Sequence, residues 1–258
     1  MSDTLYRDGA VLTMNESEAV YSGGWMRIGE DGYIKAIGEG EPGRAQTALV
    51  DEVVSLEGKI VMPGFVSGHS HLWQSAFRGL AADGELWPWL QSLHWTYGDD
   101  LERGDLKAFT SHGAWDQLCH GVTTTYNHTH WLDHGYEMFL EQLEAEMSVP
   151  QRFIFSSCVN LEDSPEVWRE QLTSLKEKLK PGPKVSLLGV ALNLRSFGPA
   201  STLEAQVSLA EELDLDFQMH YLEQSGRQDS DRAAWPRYKL AGIPSERATF
   251  AHFIHTSE

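Results

Sequence analysis

Over residues 1 to about 62 the chain alternates short apolar runs with turn residues. Trp25-Met26-Arg27-Ile28 and Tyr33-Ile34-Lys35-Ala36-Ile37 flank Glu30-Asp31-Gly32, and Asp-Gly between apolar runs is a strong hairpin signal. Val53-Val54-Ser55-Leu56 and Lys59-Ile60-Val61-Met62 are separated by Glu57-Gly58, a second turn. With no long helical period, this segment reads as a small antiparallel β unit. From Pro63 onward, apolar strand patterns at 65–69, 122–127, 153–159, 185–192, 215–220 and 249–254 alternate with helical ones. The helical patterns fall at 106–120, 135–147, 166–180 and 202–213, with a weaker one around 232–240. Gly121 and Pro181-Gly182 stand where two of these helices should stop. Repeated β-then-α with near-continuous apolar strands predicts a parallel sheet buried on both faces.

Six strands are two short of a (β/α)8 TIM barrel. The chain ends at Thr256-Ser257-Glu258, and Thr or Ser followed by Glu is how a helix begins. The expected architecture is therefore α/β, of (β/α)8 TIM-barrel type, truncated after strand six. Residues 1–62 are expected to form an N-terminal antiparallel β subdomain, and residues 63–258 the barrel.

Composition narrows the function classes. Of 258 residues, 41% are hydrophobic, enough for a sizeable core. Twenty Lys and Arg against 38 Asp and Glu leave a formal charge of −18. That balance argues against nucleic-acid and anionic-membrane partners, whose phosphates it would repel. Charged or polar residues interrupt every apolar run before the roughly 18 residues a membrane span needs. The N-terminus lacks a basic-then-apolar leader pattern, and the expectation is a cytoplasmic protein. Two cysteines, Cys119 and Cys158, make neither a disulfide scaffold nor a four-thiolate zinc site. Eleven histidines in so acidic a chain ask for a reason.

The sharpest cluster is His69-Ser70-His71, closing the first barrel strand. Residues two apart on a strand point the same way, so two imidazoles face one point. Neutral imidazole is a preferred zinc ligand, and barrel active sites sit where strands end. His220 closes the fifth strand and can supply a third ligand. Glu223, three residues later, could exchange protons with an activated water without touching a metal. His252 and His255 close the sixth strand, where a hydrogen-bonded structural role is an even alternative for either alone. His128, His130 and His134 cluster after the second strand and read mainly as pocket lining. Trp73, Trp87, Trp89, Trp95 and Trp131 fall in or near the first two barrel loops. Most should be packing, with one or two able to stack on a flat heterocycle. The formal G-x-G-x-x-G at residues 38–43 carries two carboxylates and a proline, with no clear helix after it, so it does not read as a phosphate loop. Signatures of metalloproteases, of Pro-Cys-x-x-Cys zinc deaminases and of serine hydrolases are missing.

The run from Val61 to Leu72, Val-Met-Pro-Gly-Phe-Val-Ser-Gly-His-Ser-His-Leu, resembles the signature of the amidohydrolase superfamily. The likeness is to its deaminase and chlorohydrolase branch, which includes cytosine, guanine and adenosine-type deaminases and triazine hydrolases. It extends to Arg78-Gly-Leu-Ala-Ala-Asp, Gly121-Val-Thr-Thr-Thr and Ala251-His-Phe-Ile-His. The resemblance implies one divalent metal, zinc first with Fe2+ or Mn2+ as alternatives, held by His69, His71 and His220. It implies that Glu223 shuttles protons and that His252 stands beside the attacking hydroxide. It also makes residues 1–62 half of a composite β-sandwich. Two departures follow. The strand-eight Asp that family members add to the ligand set has no counterpart in these 258 residues, and the fourth strand ends in Asn193-Leu-Arg-Ser-Phe197 where relatives often carry a His or aromatic substrate contact.

The implied activity is metal-dependent hydrolysis of C–N bonds, foremost hydrolytic deamination of a small nitrogen heterocycle. Hydrolysis of an exocyclic amide or a carbon–halogen bond uses the same metal and acid and remains an alternative. The competing class is a truncated, non-catalytic relative acting as a binding or partner-dependent module. An unclosed six-stranded barrel would expose two sheet edges, which also leaves a homo-oligomer open.

Overall fold

The computed structural model describes residues 3–132, 134–179, 187–195 and 199–256. The chain divides into two compact units at Phe65/Val66.

The first unit is built on β1 (Asp3–Leu12), β2 (Val20–Ile28) and β3 (Ile34–Glu39), followed by the short α1 (Arg44–Thr47), β4 (Val50–Ser55) and β5 (Ile60–Val61). β1, β2 and β3 form the antiparallel meander expected, with Arg7 opposite Trp25 and Met26 opposite Ile37. Gly32 takes φ 81° in the hairpin, and its N–H donates to the Gly29 carbonyl at 2.8 Å. The Glu57-Gly58 turn is present, but it does not fold β4 back on β5. Both strands pair in parallel with β1, Leu5 opposite Val53 and Ala10 opposite Ile60. Leu5, Val11, Trp25 and Leu56 are buried in this unit. Gly9 has to be glycine: a Cβ there would lie 2.5 Å from Leu56 Cβ.

In the second unit six parallel strands stand side by side in chain order in a nearly closed, barrel-shaped sheet. They are β6 (Phe65–Ser70), β7 (Val122–His128), β8 (Arg152–Cys158), β9 (Leu187–Asn193), β10 (Phe217–Tyr221) and β11 (Ala248–His252). After β6 the chain runs through α2 (Leu86–Leu90) to α3 (Asp105–Cys119); α4 (Tyr136–Met147), α5 (Pro165–Lys178), α6 (Ala200–Glu212) and α7 (Gln228–Leu240) follow the next strands in turn. Buried Phe153, Phe155, Leu187, Leu192, Phe217 and Met219 account for the near-continuous apolar strands. Helix ends follow their chemistry. α3 stops before Gly121 at φ 85°, α5 starts on Pro165 after Ser164, and α7 opens with Asp229 and Asp231 in its first turn.

Three further boundaries differ from the sequence expectations. β11 ends at His252, not 254, because His252 and Phe253 take φ of 70° and 53°. The N–H groups of Phe253 and Ile254 then bond back to the Tyr221 and Leu222 carbonyls at 2.9 and 3.2 Å. α7 begins four residues before the weak pattern at 232. The stretch after β6, expected as loop, is mostly helical: a 3-10 turn at Leu72–Phe77, then α2 running into a π turn at Gln91–Trp95. Of the expected features, residues 180–182, 185–186, Ser196, Phe197, Ser257 and Glu258 lie outside the described residues.

Candidate metal centre

All five residues named from sequence as ligands or catalytic groups line one cleft of about 1180 Å³ in the second unit, at the ends of β6, β10 and β11. Strand alternation puts His69 and His71 on one side of β6's end, with ring centroids 4.6 Å apart. His220 comes from β10, 4.8 Å from His69 and 5.2 Å from His71 by centroid. The imidazoles of His69, His220 and His252 each bring one nitrogen within 4.8 Å of the others. Glu223 follows β10, and its Oε1 lies 3.4 Å from His252 Nε2.

His71 Nδ1 donates to the His128 carbonyl at 2.7 Å. Its Nε2, the lone-pair nitrogen of the neutral ring, lies 3.2 Å from His220 Nε2. Two nitrogens on a tetrahedral zinc with bonds of 2.0–2.1 Å would sit about 3.3 Å apart. His69 Nε2 is buried and has no hydrogen-bond partner among the described residues. An orphaned ring nitrogen beside a converging pair fits a divalent ion, and the donor set of imidazoles suits zinc, iron or manganese.

Electrostatics keeps these rings neutral. Burial, reinforced by neighbouring imidazoles, pushes the His71 and His220 pKa values far below the ordinary range. His69 and His252 are lowered by the same burial. The Glu223 carboxyl moves the other way, raised by burial and then by Asp231.

The segment after β7 is held by its carbonyls. Asn193 Nδ2 donates to Thr129 O at 2.6 Å and Gln142 Nε2 to His130 O at 3.1 Å. His128, the last residue of β7, and His130 lie 5.1 and 4.4 Å from His71 by centroid. His134 does not line the cleft as the sequence suggested: its Nε2 donates to Gly98 O at 2.6 Å, tying two loops together. Trp87, Trp89, Trp95 and Trp131 line the cleft, whereas Trp73 is 0% exposed and its indole N–H donates to His130 Nδ1 at 3.0 Å.

Two residues escaped the sequence reading. His94, on the π turn, stands 4.8 Å from His130, and burial followed by Arg195 lowers its pKa to about 4. Nothing near it in sequence marks it. Gln218, wholly buried, bonds both His69 and His128. Its signal was available: a polar residue two before His220 on an apolar strand shares that residue's face.

Comparison with known proteins gives a consistent picture. The 5-methylthioadenosine/S-adenosylhomocysteine deaminase of Desulforamulus reducens is 32% identical over 124 residues, 48% of this chain and 28% of that protein. The zinc-complexed atrazine chlorohydrolase of Arthrobacter aurescens superposes with a TM-score of 0.80 at 18% identity, covering 98% of this chain and 61% of that one. The guanine deaminase of C. acetobutylicum with bound guanine gives 0.77 at 14%, covering 100% and 64%. The chain thus spans less than two thirds of each of these proteins, and the two structures share its fold. The family model described as "Amidohydrolase family" matches residues 60–257, most of the sequence. The chain belongs to the amidohydrolase family.

Proposed function

We propose that the chain carries the site of a metal-dependent hydrolase of C–N bonds, acting by hydrolytic deamination of a small nitrogen heterocycle. The observation that carries this reading is the approach of His71 Nε2 to His220 Nε2 at 3.2 Å next to the buried, unpartnered Nε2 of His69, with a carboxyl of raised pKa close by. His69, His71 and His220 would hold the ion, zinc in the first instance. Their neutral state means that no proton has to be displaced for a ligand to bind. When bound, a divalent ion lowers the pKa of water from about 15.7 toward about 7.

The remaining steps fall to the chain's own groups. Glu223 takes a proton at its carboxylate and delivers it to the leaving nitrogen, a role that a raised pKa favours near neutrality. His252, with Nε2 3.4 Å from Glu223 Oε1, steers the attacking oxygen and stabilises charge developing in the tetrahedral intermediate. The cleft tryptophans Trp87, Trp89, Trp95 and Trp131 offer flat apolar faces to a heteroaromatic ring. The names of the relatives, deaminases of guanine and of adenosine derivatives, favour an aminopurine.

The test is elemental analysis of the purified protein, together with ammonia release from aminopurines, aminopyrimidines and triazines. One equivalent of divalent metal and ammonia from at least one aminopurine are expected. Stoichiometric metal with chloride release, and no ammonia, would move the reaction to carbon–halogen cleavage. Absence of metal would overturn the reading.

A further inference from the structure

Gln218 lies on β10 two residues before His220 and is 0% exposed. A carboxamide enclosed in a sheet interior needs partners at both ends. Its Nε2 donates to the Gly68 carbonyl at 2.9 Å. A carbonyl oxygen only accepts, so this bond decides which end of the amide is which. The other end, Oε1, faces two imidazole nitrogens, His69 Nδ1 at 2.6 Å and His128 Nδ1 at 3.0 Å. Its two lone pairs take one N–H from each ring. A ring nitrogen that donates carries the proton, and in neutral imidazole the opposite nitrogen is then the lone pair. For His69 that opposite nitrogen is the buried Nε2 without a partner among the described residues.

We infer that Gln218 is the positioning residue of the centre: one carboxamide sets the tautomer and ring orientation of both His69 and His128 and anchors β6 through Gly68. It touches neither substrate nor the reacting atoms. Because the His128 carbonyl takes the proton-bearing Nδ1 of His71 at 2.7 Å, orienting His128 also steadies the residue that fixes His71. The consequence for metal rests on the proposed ligand role of His69; the consequence for tautomers does not.

The experiment compares the unmodified protein, Gln218→Leu and Gln218→Glu. Two quantities are read: Zn2+ affinity by competition with a chromophoric chelator, and histidine ring 15N shifts in the metal-stripped protein. In the unmodified protein His69 and His128 should read as Nδ1–H tautomers. Gln218→Leu removes the acceptor and should weaken Zn2+ about 10–100-fold, the usual cost of losing a partner behind a ligand, while shifting His69 toward the Nε2–H form. Gln218→Glu keeps an acceptor oxygen whether or not it is protonated, so it should retain the tautomers and bind Zn2+ within a few-fold. An Nε2–H tautomer at His69 in the unmodified protein overturns the inference with no mutation needed, which covers a Leu variant that fails to fold. A folded Gln218→Leu with unchanged tautomers overturns it as well. If the unmodified protein shows the tautomers but binds no Zn2+, the metal reading fails while the assignment of Gln218 stands.

Discussion

Two groups of histidines share the cleft and are wired in opposite senses. In the first, His69, His71 and His128 each give their Nδ1 proton to an oxygen, Gln218 Oε1 or the His128 carbonyl. Their Nε2 atoms are left as lone pairs. In the second, the indole N–H of Trp73 donates to His130 Nδ1 at 3.0 Å, and the Gln74 amide nitrogen, which only donates, lies 3.1 Å from His94 Nε2. The lone pair of His130 is therefore already taken, and its Nε2 carries the proton. His71 and His130 have ring centroids only 4.4 Å apart, yet one presents a Lewis base and the other an N–H. Proximity and residue type do not separate an exposed lone pair from an exposed N–H; the atom behind each ring does.

The largest expected effect breaks the first group. Replacing His69 and His71 together with Ala should abolish stoichiometric divalent metal by elemental analysis, while His130→Ala should keep it. Full occupancy in the double variant would place the ion with the second group. Next in size, Glu223→Gln should lower turnover about 10²–10⁴-fold, the range for general acid–base work, with metal content and melting midpoint nearly unchanged. Activity within a few-fold of the parent would leave Glu223 without its assigned role. Smaller still, Trp73→Phe removes the donor that fixes His130. Ring 15N shifts should show His130 losing its single Nε2–H form, and Zn2+ affinity should stay within a few-fold; a collapse of affinity would show that the two groups are not separable.

The smallest effect sharpens what stands behind the first group. Leu72 N–H, next to His71, donates to Asn127 Oδ1 at 3.3 Å, and Asn127 Nδ2 donates to the buried Glu146 Oε2 at 2.8 Å. Burial raises the Glu146 pKa well above 4.5, against the opposing Asn127 bond. The folded chain then holds a proton that the unfolded chain releases near 4.5. Stability is fullest below that pH and falls as pH rises toward the folded pKa, by at most about 1.4 kcal/mol per pH unit for one group. Glu146→Gln keeps the acceptor for Asn127 and should flatten that decline in urea unfolding between pH 5 and 8. An unchanged slope would mean that Glu146 is ionised in the folded state.

The barrel pattern was legible because its determinants are local. Continuous apolar strands, Gly121 after α3 and the His-x-His alternation each follow from backbone geometry over a few residues. What was not legible depended on contacts distant in sequence. Parallel pairing of β4 and β5 with β1 cannot be read from the Glu57-Gly58 turn, which looks like any hairpin. The helical stretch after β6 is settled by close packing on α3, where a Cβ on Gly113 would lie 2.4 Å from Leu72 O. His134 matched the pattern of a cleft residue until its bond to Gly98 was seen. The tautomers of the cluster rest on Gln218 and Trp73, one 149 residues from its His69 partner and the other 57 from His130.

The central claim is that the Nε2 atoms of His69 and His71 hold the ion together with His220. A diffraction experiment at the zinc absorption edge, on crystals grown with Zn2+, tests it most directly. The account predicts one anomalous peak about 2.0–2.1 Å from Nε2 of His69, His71 and His220, with none at His94 or His130. A peak on the second group, or none in the cleft at full zinc saturation, would contradict it.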